Sequence, residues 1–153
     1  MGLARDREET GFQNDDTRQV YEEFPFTLWN EGSLDYCRKL LADHWRWTTF
    51  KSLRVLDVGC GTGCWSIVFS QIGAVVHAID LTPVHVSVAR KEAARRGLDI
   101  RFTVADLFSF ETDERYDLVW CNGVLHHTRD ALAGLRHIAK FVAPGGLPGC
   151  QPL

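Results

Sequence analysis

The arrangement of apolar and polar positions changes character twice along the chain. Residues 1–16 are polar and charged without any period, which predicts a flexible N-terminal arm. From Val20 to Trp47 aromatic and aliphatic residues crowd together, among them Tyr21, Phe24, Trp29 and Tyr36, at a density no linker needs. Pro25 interrupts this stretch. The segment opening at Ser33, a plausible N-cap, then carries Leu34, Cys37, Leu40, Leu41 and Trp45 on one helical face. Residues 17–50 are therefore read as an aromatic-rich helical cap. Both of its readings stay open: a helix packed on a sheet, or a lid whose aromatics approach a ligand.

After Lys51 the pattern alternates between short apolar, β-branched runs and helix-like segments. Leu53–Val58 reads as a buried strand, followed by a glycine loop and a helix from about Cys64 to Ile72. Residues 74–79 form a second strand, and Pro83 opens a helix that runs to Arg96 and stops at Gly97. Residues 100–105 and 116–121 give two more strands, and 129–142 a last helix ended by Pro144-Gly145-Gly146. Strands separated by helices predict right-handed crossovers and a doubly wound, parallel α/β sheet.

Length and composition agree with one globular domain: 153 residues, 45% hydrophobic and 24% charged. A net charge of -3 offers no basic footprint, so neither a nucleic-acid partner nor a membrane surface is expected. Val58–Ile79 carries no formal charge, but its glycines, Thr62, Ser66, Ser70 and Gln71 fit a buried strand-loop-helix-strand better than a membrane span. Five cysteines, an odd number without a short-spaced framework, and a charged opening where a signal peptide would be apolar predict reduced thiols and a cytoplasmic protein. Cys60 and Cys64 have the spacing of some zinc ligands but lack a second close pair, so no metal is expected. A reactive thiol at Cys60 or Cys121 has no base at fixed spacing to support it.

The candidate chemistry sits at strand ends. In Val55-Leu-Asp-Val-Gly-Cys-Gly-Thr-Gly-Cys-Trp, Gly59, Gly61 and Gly63 leave the end of the first strand without side chains, so backbone can turn sharply and lie against a ligand. The spacing is G-x-G-x-G, whereas the dinucleotide fingerprint places its last glycine where Cys64 stands. Asp57 lies two residues ahead of the loop, awkward for a pyrophosphate but suited to ordering the loop or meeting a cationic ligand. A nicotinamide oxidoreductase is disfavoured on both counts. Asp80 closes the second strand, where an acid can accept from both ribose hydroxyls. Asp106 closes the third strand and Asn122 follows the fourth. Any one of these residues alone would read as a turn or cap; four consecutive strand ends so furnished point to one ligand edge.

These strings resemble the class I S-adenosylmethionine-dependent methyltransferases. The resemblance rests on Val55–Gly63, Ala78-Ile-Asp, Ala105-Asp-Leu, Tyr116-Asp-Leu-Val-Trp-Cys-Asn-Gly-Val-Leu-His-His and Lys140-Phe-Val-Ala-Pro-Gly-Gly, in family order over residues 53–146. It implies a Rossmann-like fold with S-adenosyl-L-methionine as cofactor. Gly59, Cys60, Gly61 and Gly63 would pass close to the methionine part, with Asp57 ordering the loop or meeting the ammonium through water. Asp80 would hold the ribose, Ala105 and Asp106 the adenine edge, and Leu81 and Leu107 the faces of the ring. Asn122 and Gly123 would lie beside the sulfonium. His126 and His127 are the candidates for a base, because imidazole titrates near neutral pH; packing is the equal alternative. The resemblance, the acidic charge and the aromatic segment point to a small-molecule acceptor, while the lack of Asn-Pro-Pro-Tyr after strand four argues against amino-group methylation of bases.

The family's sheet continues beyond the turn at Ala143–Gly146. Here the residues that follow, Leu147-Pro-Gly-Cys-Gln-Pro-Leu153, hold two prolines and a glycine and are read as an irregular tail, since a central strand there is implausible. Strands five to seven are then expected to be missing, leaving the fourth strand as an apolar edge prone to self-association. A truncated, non-catalytic remnant that binds the cofactor or a partner chain is the alternative function.

Overall fold

Strand residues alternate between two apolar environments, and this makes the sheet the middle layer. The computed structural model describes residues 30–45 and 49–151. The elements are α1 (Glu31–Trp45), β1 (Arg54–Val58), α2 (Cys64–Gln71), β2 (Val75–Asp80), α3 (Pro83–Arg95), β3 (Ile100–Val104), β4 (Tyr116–Asn122), α4 (Ala131–Ala139) and β5 (Val142–Gln151), with a short 3-10 turn at Leu125–His127. All pairings are parallel and the strand order is β3-β2-β1-β4-β5. The predicted N-terminal arm, and Tyr21, Phe24, Trp29 and Trp47 of the predicted cap, lie outside the described residues.

Val55, Val76, Ala78, Leu118 and Trp120 face one side and pack with Ile67 and Phe69 of α2 and Val86 and Ala89 of α3. Leu56, Val58, Ile79, Val119 and Cys121 face the other side, where Ile138 of α4 and Phe141 cover them. The two-residue period of a strand buried on both faces accounts for the continuous apolar runs in the sequence. The chain steps outward from β1 to β3 and then returns to β4 on the other flank of β1. That reversal places a topological switch, and hence a crevice, at the carboxyl ends of β1 and β4.

Helix α1 packs against α2 through Leu34 and Leu41, both fully buried, and each such burial stabilises by roughly 1.5–3 kcal/mol. Its start differs from expectation. Asn30, not Ser33, is the cap: Asn30 Oδ1 accepts from the Ser33 N–H (3.1 Å) and Ser33 Oγ accepts from the Asn30 N–H (3.3 Å). This is a reciprocal capping box with a serine in the usual Glu position. Tyr36 is exposed, and none of the described residues of α1 lines the ligand crevice.

The C-terminal expectation is overturned. Residues 147–151 form no irregular tail; they continue β5, which pairs with β4 from Leu118↔Leu147 to Asn122↔Gln151. The rule against proline in a central strand did not apply, because β5 lies at the sheet edge, where a missing N–H can face away from the neighbour. A bulge between Tyr116 and Leu118 absorbs Pro144 and Gly145, the latter at φ 81°. Gly149 carries no Cβ because one would come within 2.7 Å of the Trp120 ring. The fourth strand is therefore paired on both sides and is not the expected exposed edge; in the described sheet the edges are β3 and β5. The last helix is also shorter than the predicted 129–142, starting after Asp130, whose carboxylate accepts from the Ala133 N–H at 2.8 Å.

Candidate functional site

The glycine turn after β1 is built by backbone alone. Gly59, Gly61 and Gly63 all have positive φ, which an L side chain resists by about 1–2 kcal/mol per residue. The Gly59 and Cys60 N–H groups both donate to Ile79 O at the end of β2 (2.8 and 3.0 Å), so the turn is fastened to the neighbouring strand. Gly59 also permits close packing: a Cβ there would meet Val124 Cγ2 at 2.2 Å.

Beneath the turn, Asp57 is buried at 2% exposure and accepts the Ser66 hydroxyl at 2.6 Å, tying β1 to the first turn of α2. Burial pushes its carboxyl up to about 7, against the opposing pull of the Ser66 hydrogen bond. Asp80 uses both oxygens locally: Oδ2 accepts from the Gly61 N–H and Oδ1 from the Thr82 N–H, each at 2.8 Å. His85 Nδ1 stands 3.5 Å from Asp80 Oδ1. Asp106 accepts from the Phe108 N–H at 2.7 Å, turning the chain sharply after β3.

These strand ends surround one cavity of about 420 Å³. Gly59 and Gly61 form its floor from the first strand, and Asp80 and Leu81 follow from the second. Ala105, Asp106 and Leu107 come from the third, and Asn122, Gly123, His126 and His127 from the fourth. The structure thus gathers eleven of the fourteen residues named from sequence. Asp57, Cys60 and Gly63 do not line the cavity: Asp57 lies under the turn, Gly63 packs toward Ala89, and the Cys60 thiol points to Gly61 O. Burial pushes that thiol well above its ordinary range.

Five further lining residues were missed: Thr82, His85, Phe108, Val124 and Thr128. Four adjoin named residues in the same loops or follow within three positions; His85 is legible only once Pro83 is known to open α3, since its first turn then projects it back over Asp80. Gly134 of α4 lets the wall close, because a Cβ there would press on Leu125, Phe108 and Leu107.

The two histidines lie side by side on the 3-10 turn, ring centroids 3.8 Å apart. Burial, then the neighbouring His126, lowers the His127 pKa below its usual value, which favours the neutral imidazole, the form that can accept a proton. Cys64, which has the zinc-like spacing with Cys60, turns away from the cavity to Cys37. Among the described residues no group of three or more His, Cys, Asp or Glu side chains could hold a metal, and no helix is long and apolar enough to cross a membrane.

A methyltransferase-domain family model matches residues 55–146. The ubiquinone biosynthesis O-methyltransferase of Cereibacter sphaeroides is 38% identical over 107 residues, covering 68% of this chain and 42% of that protein. That of Dinoroseobacter shibae is 35% identical over 136 residues, covering 84% and 54%. The chain spans about half the length of the curated relatives it matches. Among solved structures, magnesium protoporphyrin IX methyltransferase from Synechocystis, with bound S-adenosylmethionine, superposes with a TM-score of 0.69 at 25% identity, covering 86% of this chain and 73% of that one. With the Rossmann-like sheet and the glycine turn in place, the chain belongs to the class I S-adenosylmethionine-dependent methyltransferases, whose cofactor is S-adenosylmethionine.

Proposed function

We propose that the chain binds S-adenosylmethionine in the carboxyl-edge cavity and transfers its methyl group to a small-molecule acceptor, an oxygen nucleophile by analogy with the ubiquinone-pathway relatives. The observation that carries this reading is the convergence of a side-chain-free turn and two strand-end carboxylates on one cavity. The fit is physical. A Cβ at Gly61 would meet nothing within 4 Å, so the turn leaves open space where a ligand's backbone-like portion can lie. Asp80 already holds the turn and keeps lone pairs for ribose hydroxyls. Leu81 and Leu107 supply apolar faces for a flat base, and Asp106 an acceptor at its edge.

The bound cofactor supplies a sulfonium methyl, an electrophile that needs no further activation. The protein's task is to align the acceptor and exclude water, and positioning of this kind can remove ~7–11 kcal/mol of barrier. Asn122 and Gly123 at the end of β4 bring backbone to the reacting region. His127, whose neutral form its surroundings favour, takes the acceptor's proton when the acceptor is a hydroxyl. The tests are calorimetric titration with S-adenosylmethionine, S-adenosylhomocysteine and NAD, and methyl transfer to catechol-type and quinol-type acceptors. Selective binding of the first two ligands is expected, with His127→Ala lowering turnover more than cofactor affinity. Preference for NAD would overturn the reading, and equal loss of turnover and affinity would reduce His127 to a packing residue.

A further inference from the structure

Cys37 in α1 and Cys64 at the first position of α2 bring their sulfur atoms within 3.7 Å, both as free thiols. Cys64 is half-buried and follows Gly63 directly, so it is the point where the glycine turn becomes a helix. Its sulfur is turned toward α1, where Cys37 faces it. The hydrogen bond with Cys37 pulls the Cys64 thiol down from its ordinary range, against burial; the same bond, then burial, pushes Cys37 up. Cys64 is the more exposed residue and Cys37 is buried, so an oxidant reaches Cys64 first and Cys37 is placed behind it to resolve the product. Cys60 differs: burial pushes its thiol up, and its sulfur faces the Gly61 carbonyl rather than a second thiol.

We propose that Cys37 and Cys64 form a peroxide-oxidisable dithiol, a modification site whose disulfide fastens α1 to the glycine turn and weakens cofactor binding. The Cys64 thiolate attacks hydrogen peroxide; an S–O bond forms, the O–O bond breaks and hydroxide leaves, giving a sulfenic acid. Cys37 sulfur then attacks the Cys64 sulfur, the S–O bond breaks, and the Cys37 proton departs with the oxygen as water. Two thiols and one peroxide become one disulfide and two waters. The sulfurs must approach from 3.7 Å to ~2.05 Å, a closure that moves the start of α2 toward α1. Gly63 N–H donates to Cys60 O (2.9 Å) and Gly61 N–H to Asp80 (2.8 Å), so the shift is passed to the cavity rim.

The effect on affinity rests on the cavity being the cofactor site, and the experiment separates the two claims. The intact chain is treated with hydrogen peroxide, digested without reduction and mapped; a peptide linking Cys37 to Cys64 is expected, absent in Cys64→Ser and Cys37→Ala and retained in Cys60→Ser. Titration with S-adenosylhomocysteine should show an affinity loss of about fivefold or more, the lower end of ordinary coupling between two sites, reversed by dithiothreitol. Oxidation of Cys60 or Cys121 in place of the linkage would overturn the proposal, as would a linkage that leaves affinity unchanged. If the reduced chain fails to bind S-adenosylhomocysteine, the cofactor-site reading falls, and with it the effect on affinity, whatever the peptide map shows.

Discussion

The two ends of the same parallel sheet solve opposite problems. At the carboxyl edge, Asp57 and Asp80 are both buried, and the partners given to them are neutral donors or a histidine: the Ser66 hydroxyl, two backbone N–H groups and the His85 imidazole. At the amino edge, Glu114 is held by two cations, Arg54 at 2.5 Å and Arg101 at 2.7 Å, which keep its carboxyl near 2; Arg101 also donates to His77 Nδ1 at 2.7 Å. Because a guanidinium can only donate, Nδ1 accepts and Nε2–H donates to Thr103 Oγ1 at 2.9 Å. The amino edge pairs its charges with one another around a cavity of about 250 Å³, whereas the carboxyl edge leaves acceptors and bare backbone around one of about 420 Å³. A sheet end that satisfies itself is structural; one that stops short of doing so is where a ligand completes the set.

The sharpest way to break this contrast is at the turn. Gly59→Ala must place a Cβ at φ 71° and 2.2 Å from Val124 Cγ2. Left-handed strain of about 1–2 kcal/mol and overpacking of about 1–3 kcal/mol predict a stability loss of roughly 2–5 kcal/mol. Urea denaturation measures it, and a loss below 1 kcal/mol would show that the turn yields. Asp80→Ala comes next. It removes the acceptor for Gly61 and Thr82 and should weaken S-adenosylhomocysteine binding by roughly 1–3 kcal/mol in calorimetry. Unchanged affinity would move the ribose elsewhere.

How much of this contrast was legible beforehand follows from where each feature is encoded. The glycine turn, Asp80, Asp106 and Asn122 each sit next to an apolar run, so strand ends and cavity residues were read together. Asp57 was recognised as unusual, but its partner Ser66 lies nine positions on, and only packing shows that it works beneath the turn. The β5 strand was misread because its prolines exclude a central position, while edge or centre is decided by topology and not by local sequence. The amino-edge network was invisible for the same reason: Arg54, His77, Arg101 and Glu114 come from three strands and a loop, with no shared motif.

The pH dependence of stability separates the two edges by sign. Asp57, raised from 3.8 to about 7, contributes most below pH 3.8 and loses its contribution as pH rises toward 7. Burial, then Arg101, lowers His77 from 6.5 to about 4; its contribution is full above pH 6.5 and is lost as pH falls toward 4. Relative to Asp57→Asn, the wild type should therefore lose ground with rising pH, and relative to His77→Gln with falling pH. Denaturation curves from pH 4 to 8 test both slopes, and slopes of the same sign would dissolve the distinction.

The smallest effect belongs to Glu114→Gln. The side chains of Arg54, Arg101 and Glu114 are 46%, 51% and 33% exposed, so solvent screens the network, and the loss should be about 0.2–1 kcal/mol. The bidentate Arg101 contact places it toward the top of that range. Salt near 1 M, where screening falls to ~3 Å, should erase most of the difference. The substitution has a second consequence: the Glu114 charge partly offsets Arg101 in its action on His77, so without it the His77 pKa drops further and the acid-side loss of stability steepens. S-adenosylhomocysteine affinity should not change, because no residue of the network lines the large cavity. A Glu114→Gln chain that bound the cofactor product as poorly as Asp80→Ala would mean that strain crosses the strands from one edge to the other, and the sheet would have to be treated as one coupled device and not as two independent ends.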